Sequence, residues 1–266
     1  MQQRLRTILA ATPTDAPPTM PTSMWQLVQC ILMEYMQSQR ILIEWASAIA
    51  VAAILIRDGT NTHTMMATWS LYSILAALYT TSVLADVAEQ PFQMQRLLAI
   101  QSRRAYISAY LIAANVIVIS SYIIIVIVSF LTAPLARPTL ELFAASLPSM
   151  LVLISVVTTL MLMLTPLVAN TTQRIVVLLL ITIPLSWNIL GPAIQRVIGT
   201  EYSALIAACA TIWGLLLWPS LHLYTTTITP QIDRMMIVVI VFHLILLAVI
   251  MRQIIHWFNK KSLAIA

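Results

Sequence analysis

Six apolar stretches, at residues 41–56, 65–85, 105–131, 142–168, 175–190 and 235–255, dominate the sequence. A helix crossing a hydrocarbon core of about 30 Å needs roughly 20 apolar residues, and most of these stretches reach that length. Only 9% of the 266 residues are charged and 60% are hydrophobic, whereas a soluble domain carries about 25% charged residues. Mean hydropathy is +0.91. So few charges cannot clothe a water-soluble globule. The expected fold is therefore an all-α integral membrane protein with six transmembrane helices. This excludes a soluble enzyme, a nucleic-acid reader and a disordered scaffold. The net charge of +5 is expected to set orientation in the bilayer.

The first 23 residues are polar and contain four prolines, which reads as a flexible cytosolic tail. Residues 24–266 form a single transmembrane domain. Ser23 and Gln26 match a helix capping box. Beyond them Met24, Leu27, Val28, Ile31, Leu32, Tyr35 and Met36 recur with helical period, while Gln26, Gln29, Gln37 and Gln39 fill the other side. The pattern predicts an amphipathic helix over 24–40 lying in the membrane interface. An extension of the first span is the alternative, since no Gly or Pro intervenes before Ile56. The first span carries Glu44 one turn from Arg40, so that end is expected among the headgroups.

Residues 201–221 are long enough to cross, and charge arbitrates. With six spans and a cytosolic N-terminus, ten basic residues face inward and four, Arg57, Arg137, Arg196 and Arg234, face outward. An extra crossing makes the split eight to six. The bias of Lys and Arg toward the cytosol favours six spans with both termini cytosolic. Residues 201–221 then form a re-entrant or interfacial hairpin on the outer side, before the last span.

The loop at 86–104 carries the strongest functional signal. It reads Asp86-Val-Ala-Glu89, then Met94, Arg96, Leu97 and Leu98, then Ser102-Arg103-Arg104 at the start of the third span. Ser102 is a candidate N-cap. An acidic residue, a short Arg-Leu-Leu segment, Ser-Arg-Arg and then an apolar helix resembles the permease subunits of type-2 ABC exporters. The layout is similar over essentially the whole chain, and 178–191 (LLLITIPLSWNILG) is similar to the fifth span of such permeases. The glycine-containing, more acidic loop usual in that family is here Glu89-Gln90-Pro91-Phe92-Gln93.

The resemblance implies the membrane-spanning permease of an ATP-driven exporter in the cell membrane, paired as a homodimer or heterodimer of permeases. A separate ATP-binding cassette ATPase subunit would bind ATP. The chain itself would hold no cofactor and no metal, and would not be an enzyme. The cargo would be amphiphilic or hydrophobic. The loop would be a coupling element, with Met94, Leu97 and Leu98 as apolar knobs and Glu89, Arg96, Ser102, Arg103 and Arg104 as polar contacts to the ATPase. Such a role needs a short projecting helix whose charges fix its register on the partner. The bland reading is that the arginines only anchor the loop at the headgroups.

Trp187 and Asn188, following Pro184, and His243 in the last span are candidates for a substrate path, because polar groups inside a span are costly unless they serve a purpose. Asn115, Ser120, Ser121, Tyr122, Thr158 and Thr159 are expected to bond helix to helix. No GxSxG, HExxH or GxxxxGK[ST] motif occurs. A non-transporting membrane scaffold and a secondary transporter are the rival readings, and the second is disfavoured by the apparent absence of midplane charges and internal repeats.

Overall fold

The computed structural model describes residues 23–57, 60–89, 102–133, 138–178, 222–230 and 234–260, and every element among them is helical. Six helices carry the architecture: α1 (Met24–Gln37), α2 (Arg40–Leu55), α3 (Thr62–Ala88), α4 (Arg103–Thr132), α5 (Leu140–Leu164) and α6 (Arg234–Lys260). Residues 171–178 and 222–228 form two shorter helical stretches.

Four of these helices, α3 to α6, are long and apolar enough to cross a membrane, and α1 with α2 makes a fifth candidate if the bent pair is one span. A multi-pass membrane protein is consistent with this. The predicted fifth span lies mostly outside the described residues, and the hairpin at 201–221, like the tail at 1–22, lies wholly outside them.

Local sequence explains the helix ends. The Ser23–Gln26 capping box forms, each side chain meeting the other residue's N–H at 3.3 Å. Asn61 caps α3 by accepting from the Thr64 N–H at 2.7 Å, and Thr139 caps α5 through the Leu142 N–H at 3.2 Å. The fourth span ends at Leu164, short of the expected Val168. Thr165 takes ψ 154° because the following Pro166 disfavours the helical conformation at the residue before it.

Helices α1 and α2 lie at 69° to one another. No Gly or Pro makes the break. Gln39 turns the chain with a left-handed conformation, φ 59°, the only positive φ among the described non-glycine residues. The Ser38 hydroxyl donates to the Tyr35 carbonyl at 2.8 Å, meeting one exposed acceptor at the end of α1.

Helix α4 is central, packing against α1, α2, α3, α5 and α6. The buried face of α3 is rich in small residues, Ser70, Ser73, Ala76, Ala77, Thr80, Ala85 and Ala88, beside the larger Met65, Met66, Trp69, Tyr72 and Leu84. Small side chains let two helices approach closely where no hydrophobic effect drives them together, as in lipid. At one end, Leu27, Val28, Ile31 and Tyr35 of α1 pack with Tyr106, Tyr110 and Phe258. At the other, Trp69 meets Tyr122, Phe130 and Phe143 edge-on, with ring centroids 5.7–6.4 Å apart. Helix α6 is the least enclosed. Only 17% of its most apolar window is buried, against 44–50% for the other three long helices.

Candidate functional site

Two groupings of polar side chains interrupt this apolar scaffold. The first flanks the expected coupling loop. Glu89 is exposed and closes α3, its N–H bonding to the Ala85 carbonyl at 3.2 Å. Ser102 caps α4 as expected, its hydroxyl accepting from the Ala105 N–H at 3.3 Å. Met94, Arg96, Leu97 and Leu98 lie outside the described residues.

Arg103 does more than approach the headgroups. Its Nη1 donates to the carbonyls of Phe258 and Asn259, at 3.0 and 2.9 Å, and its guanidinium lies 5.9 Å from the centre of the Phe258 ring. The last carbonyls of a helix have no partner within it and carry partial negative charge. An arginine there satisfies acceptors and complements the dipole together. Beside it, the Tyr106 hydroxyl donates to the Ala88 carbonyl at 3.0 Å, and the Tyr106 ring stacks parallel to Phe258 at 6.2 Å. The end of α3, the start of α4 and the end of α6 therefore form one joint. Arg104 instead lines a cavity of about 490 Å³ beside α6.

The second grouping is centred on Glu44, for which the sequence reading named no partner. Glu44 is 3% exposed, enclosed by four helices. Its Oε1 accepts from the Tyr35 hydroxyl of α1 and from Thr80 Oγ1 of α3 at 2.7 Å. Ser121 Oγ of α4 lies 3.3 Å from Oε2. The Glu44 carbonyl accepts from Tyr72 at 2.8 Å and from Ser47 at 2.7 Å. Thr80 stands about 12 Å along α3 from its last residue, at 1.5 Å per residue, so the carboxyl group meets α3 more than two turns in from its end. A carboxyl group in apolar surroundings persists only where donors replace water.

Two cavities meet this knot from different sides. One, of about 280 Å³, is lined by Tyr35 with Glu34, Ser38 and Arg40. The other, of about 330 Å³, is lined by Glu44 with Ser47, Tyr72 and Tyr79. Sequence reasoning missed the site because it noted only that Glu44 lies one turn from Arg40 and named no partner for it. The available signal was the recurrence of hydroxyls, Tyr35, Tyr72, Thr80 and Ser121, on the faces that become buried.

The remaining candidates separate. His243 is fully buried, with Nδ1 2.7 Å from the Val239 carbonyl of its own helix. Trp187 and Asn188 lie outside the described residues. The expected helix-to-helix bonds form in part. Asn115 Oδ1 accepts from Ser155 at 3.1 Å and Thr158 at 3.4 Å, joining α4 to α5. Ser120 accepts from the Trp45 indole at 3.3 Å, joining α4 to α2. Thr159 bonds to the Ser155 carbonyl in its own helix.

No group of three or more His, Cys, Asp or Glu side chains suited to a metal occurs among the described residues. No family model matches the chain, and no curated protein or solved structure matches it.

Proposed function

We propose that this chain is the membrane-spanning permease subunit of an ATP-driven exporter, working as a pair of permeases with a separate ATPase that docks on residues 89–104. The observation that carries the reading is the Arg103 joint. The loop leaves α3 at Glu89 and enters α4 at Ser102, and Arg103 fastens that entry to the last turn of α6. A force applied to the loop is thereby delivered to three helices at once. That is what a motor needs to drive a rigid-body switch between inward- and outward-open arrangements. The amphipathic α1, packed on the same end of α4, braces the joint from the side.

Purification of the full chain from its native membranes tests the proposal. An ATPase subunit is expected to accompany it, and the double change Arg96→Glu with Leu97→Asp is expected to release that subunit. An ATPase that stays bound to the double variant, or none with the unaltered chain, overturns it.

A proton-coupled secondary transporter is the second reading, favoured by Glu44, a buried carboxyl group between two cavities. It requires transport to follow a proton gradient and to lose that dependence in Glu44→Gln.

A further inference from the structure

The 490 Å³ cavity between the first turn of α4 and the last turns of α6 shares only Asn259 with the Arg103 joint and no residue with the Glu44 knot. Arg104, Arg252, His256 and Asn259 supply its polar wall. Ala248, Met251 and Ile255 supply the rest, and no acidic side chain lines it among the described residues. Arg104 and Arg252 make no hydrogen bond or ion pair among the described residues. Two guanidinium groups thus face one cavity with no anion among the described residues to balance them.

The α6 contribution recurs at intervals of three and four residues from 248 to 259, so it forms one stripe along the helix. Continued toward the N-terminus, the stripe becomes Val241, Leu244 and Ile245, all exposed and all apolar. A basic, hydrogen-bonding head therefore stands directly above an uncovered hydrocarbon track. Charge distribution assigns this end of α4 and α6 to the cytosolic leaflet, where anionic lipids attract basic residues.

We infer that this cavity binds the phosphate headgroup of an anionic phospholipid, with Arg104 and Arg252 gripping the phosphate and the acyl chains lying along the α6 stripe. Arginine suits the task because its planar fork meets phosphate oxygens in a paired geometry. A free phosphate would use the same two arginines but would leave the apolar track uncovered, which is why the lipid is the better fit. The inference stands whether or not the chain is a permease.

The test is native mass spectrometry of the full chain in an uncharged detergent with phosphatidylglycerol or phosphatidylcholine. Phosphatidylglycerol is expected to be retained preferentially. Arg104→Gln with Arg252→Gln is expected to weaken its retention on the order of tenfold to thirtyfold, while Arg57→Gln, at an exposed arginine elsewhere, leaves it unchanged. Ala248→Trp, which fills the cavity but keeps every charge, is expected to displace the lipid as well, so the result does not hang on the double variant folding. Equal retention of the two lipids, or unchanged retention in Ala248→Trp, overturns the inference. Displacement by equimolar inorganic phosphate also overturns it, marking a free-phosphate site.

Discussion

The Tyr35 hydroxyl donates to the Glu44 carboxyl group across the 69° bend between α1 and α2. The residue that ties the amphipathic helix to the first span is thus also the one that draws Thr80 and Ser121 of the next two helices toward it. Glu44→Ala strands the Tyr35 and Thr80 hydroxyls in an apolar region, each costing on the order of 1 kcal/mol or more, while Ser121 keeps the Ile117 carbonyl at 3.3 Å. The expected loss of stability is about 2–4 kcal/mol. Glu44→Gln keeps the volume and one carbonyl acceptor and is expected to lose less than half as much. Thermal unfolding of the purified protein in detergent checks both, and equal midpoints for the two variants would contradict the account.

The bend itself has a separate signature. Gln39 holds φ 59°, a conformation that costs a residue with a Cβ about 1 kcal/mol and glycine almost nothing. Gln39→Gly is expected to stabilise the protein by about 0.5 kcal/mol once the greater freedom of an unfolded glycine is counted. Gln39→Val, branched at Cβ, is expected to destabilise it by about 1 kcal/mol. The opposite signs are the informative result, since in a helix running straight from Met24 to Leu55 both substitutions would destabilise, glycine more than valine.

How much of this was legible in the sequence depends on how local the cause is. The Ser23–Gln26 box, the Ser102 cap and the stripe at Leu27, Val28 and Ile31 were readable because each is set by neighbours within one or two turns. The partners of Glu44 were hidden because they come from positions 35, 80 and 121, and only the packing of four helices brings them together. Arg103 was legible as a loop cation, but the Phe258 and Asn259 carbonyls it meets are about 155 positions away in the chain. The bend at Gln39 was hidden for another reason. The backbone strain is tolerated because tertiary packing fixes both flanking helices, and no residue preference announces it.

Arg103→Ala is expected to loosen α6 at its end without unfolding the bundle. Losing two bonds to unpaired carbonyls and the favourable placement at a helix terminus costs about 1–2 kcal/mol. Hydrogen exchange is expected to quicken in the last turn of α6 and the first of α4, with α3 near Trp69 unaffected. Arg103→Lys, which keeps the charge but not the fork, is expected to recover part of the protection. Exchange that changes equally along the whole chain would deny the joint its local character.

Trp69 anchors the other end of the bundle, and its contacts divide into two kinds. Its indole N–H donates to Ser129 Oγ at 2.9 Å, joining α3 to α4, and its ring lies edge-on to Tyr122, Phe130 and Phe143. Trp69→Phe removes the bond and part of the ring but keeps an aromatic face, so a loss of about 1–2 kcal/mol is expected. Trp69→Ala also empties the space between α3, α4 and α5, and losses of about 3–5 kcal/mol accompany such truncations in a packed interior. In lipid the transfer component of that cost shrinks, because an exposed apolar surface meets hydrocarbon rather than water, whereas the cavity component remains. The alanine variant is therefore expected near the lower end of that range. Thermal unfolding of both variants in detergent measures the difference, and a Trp69→Ala loss no larger than that of Trp69→Phe would show that the site closes up around the missing ring.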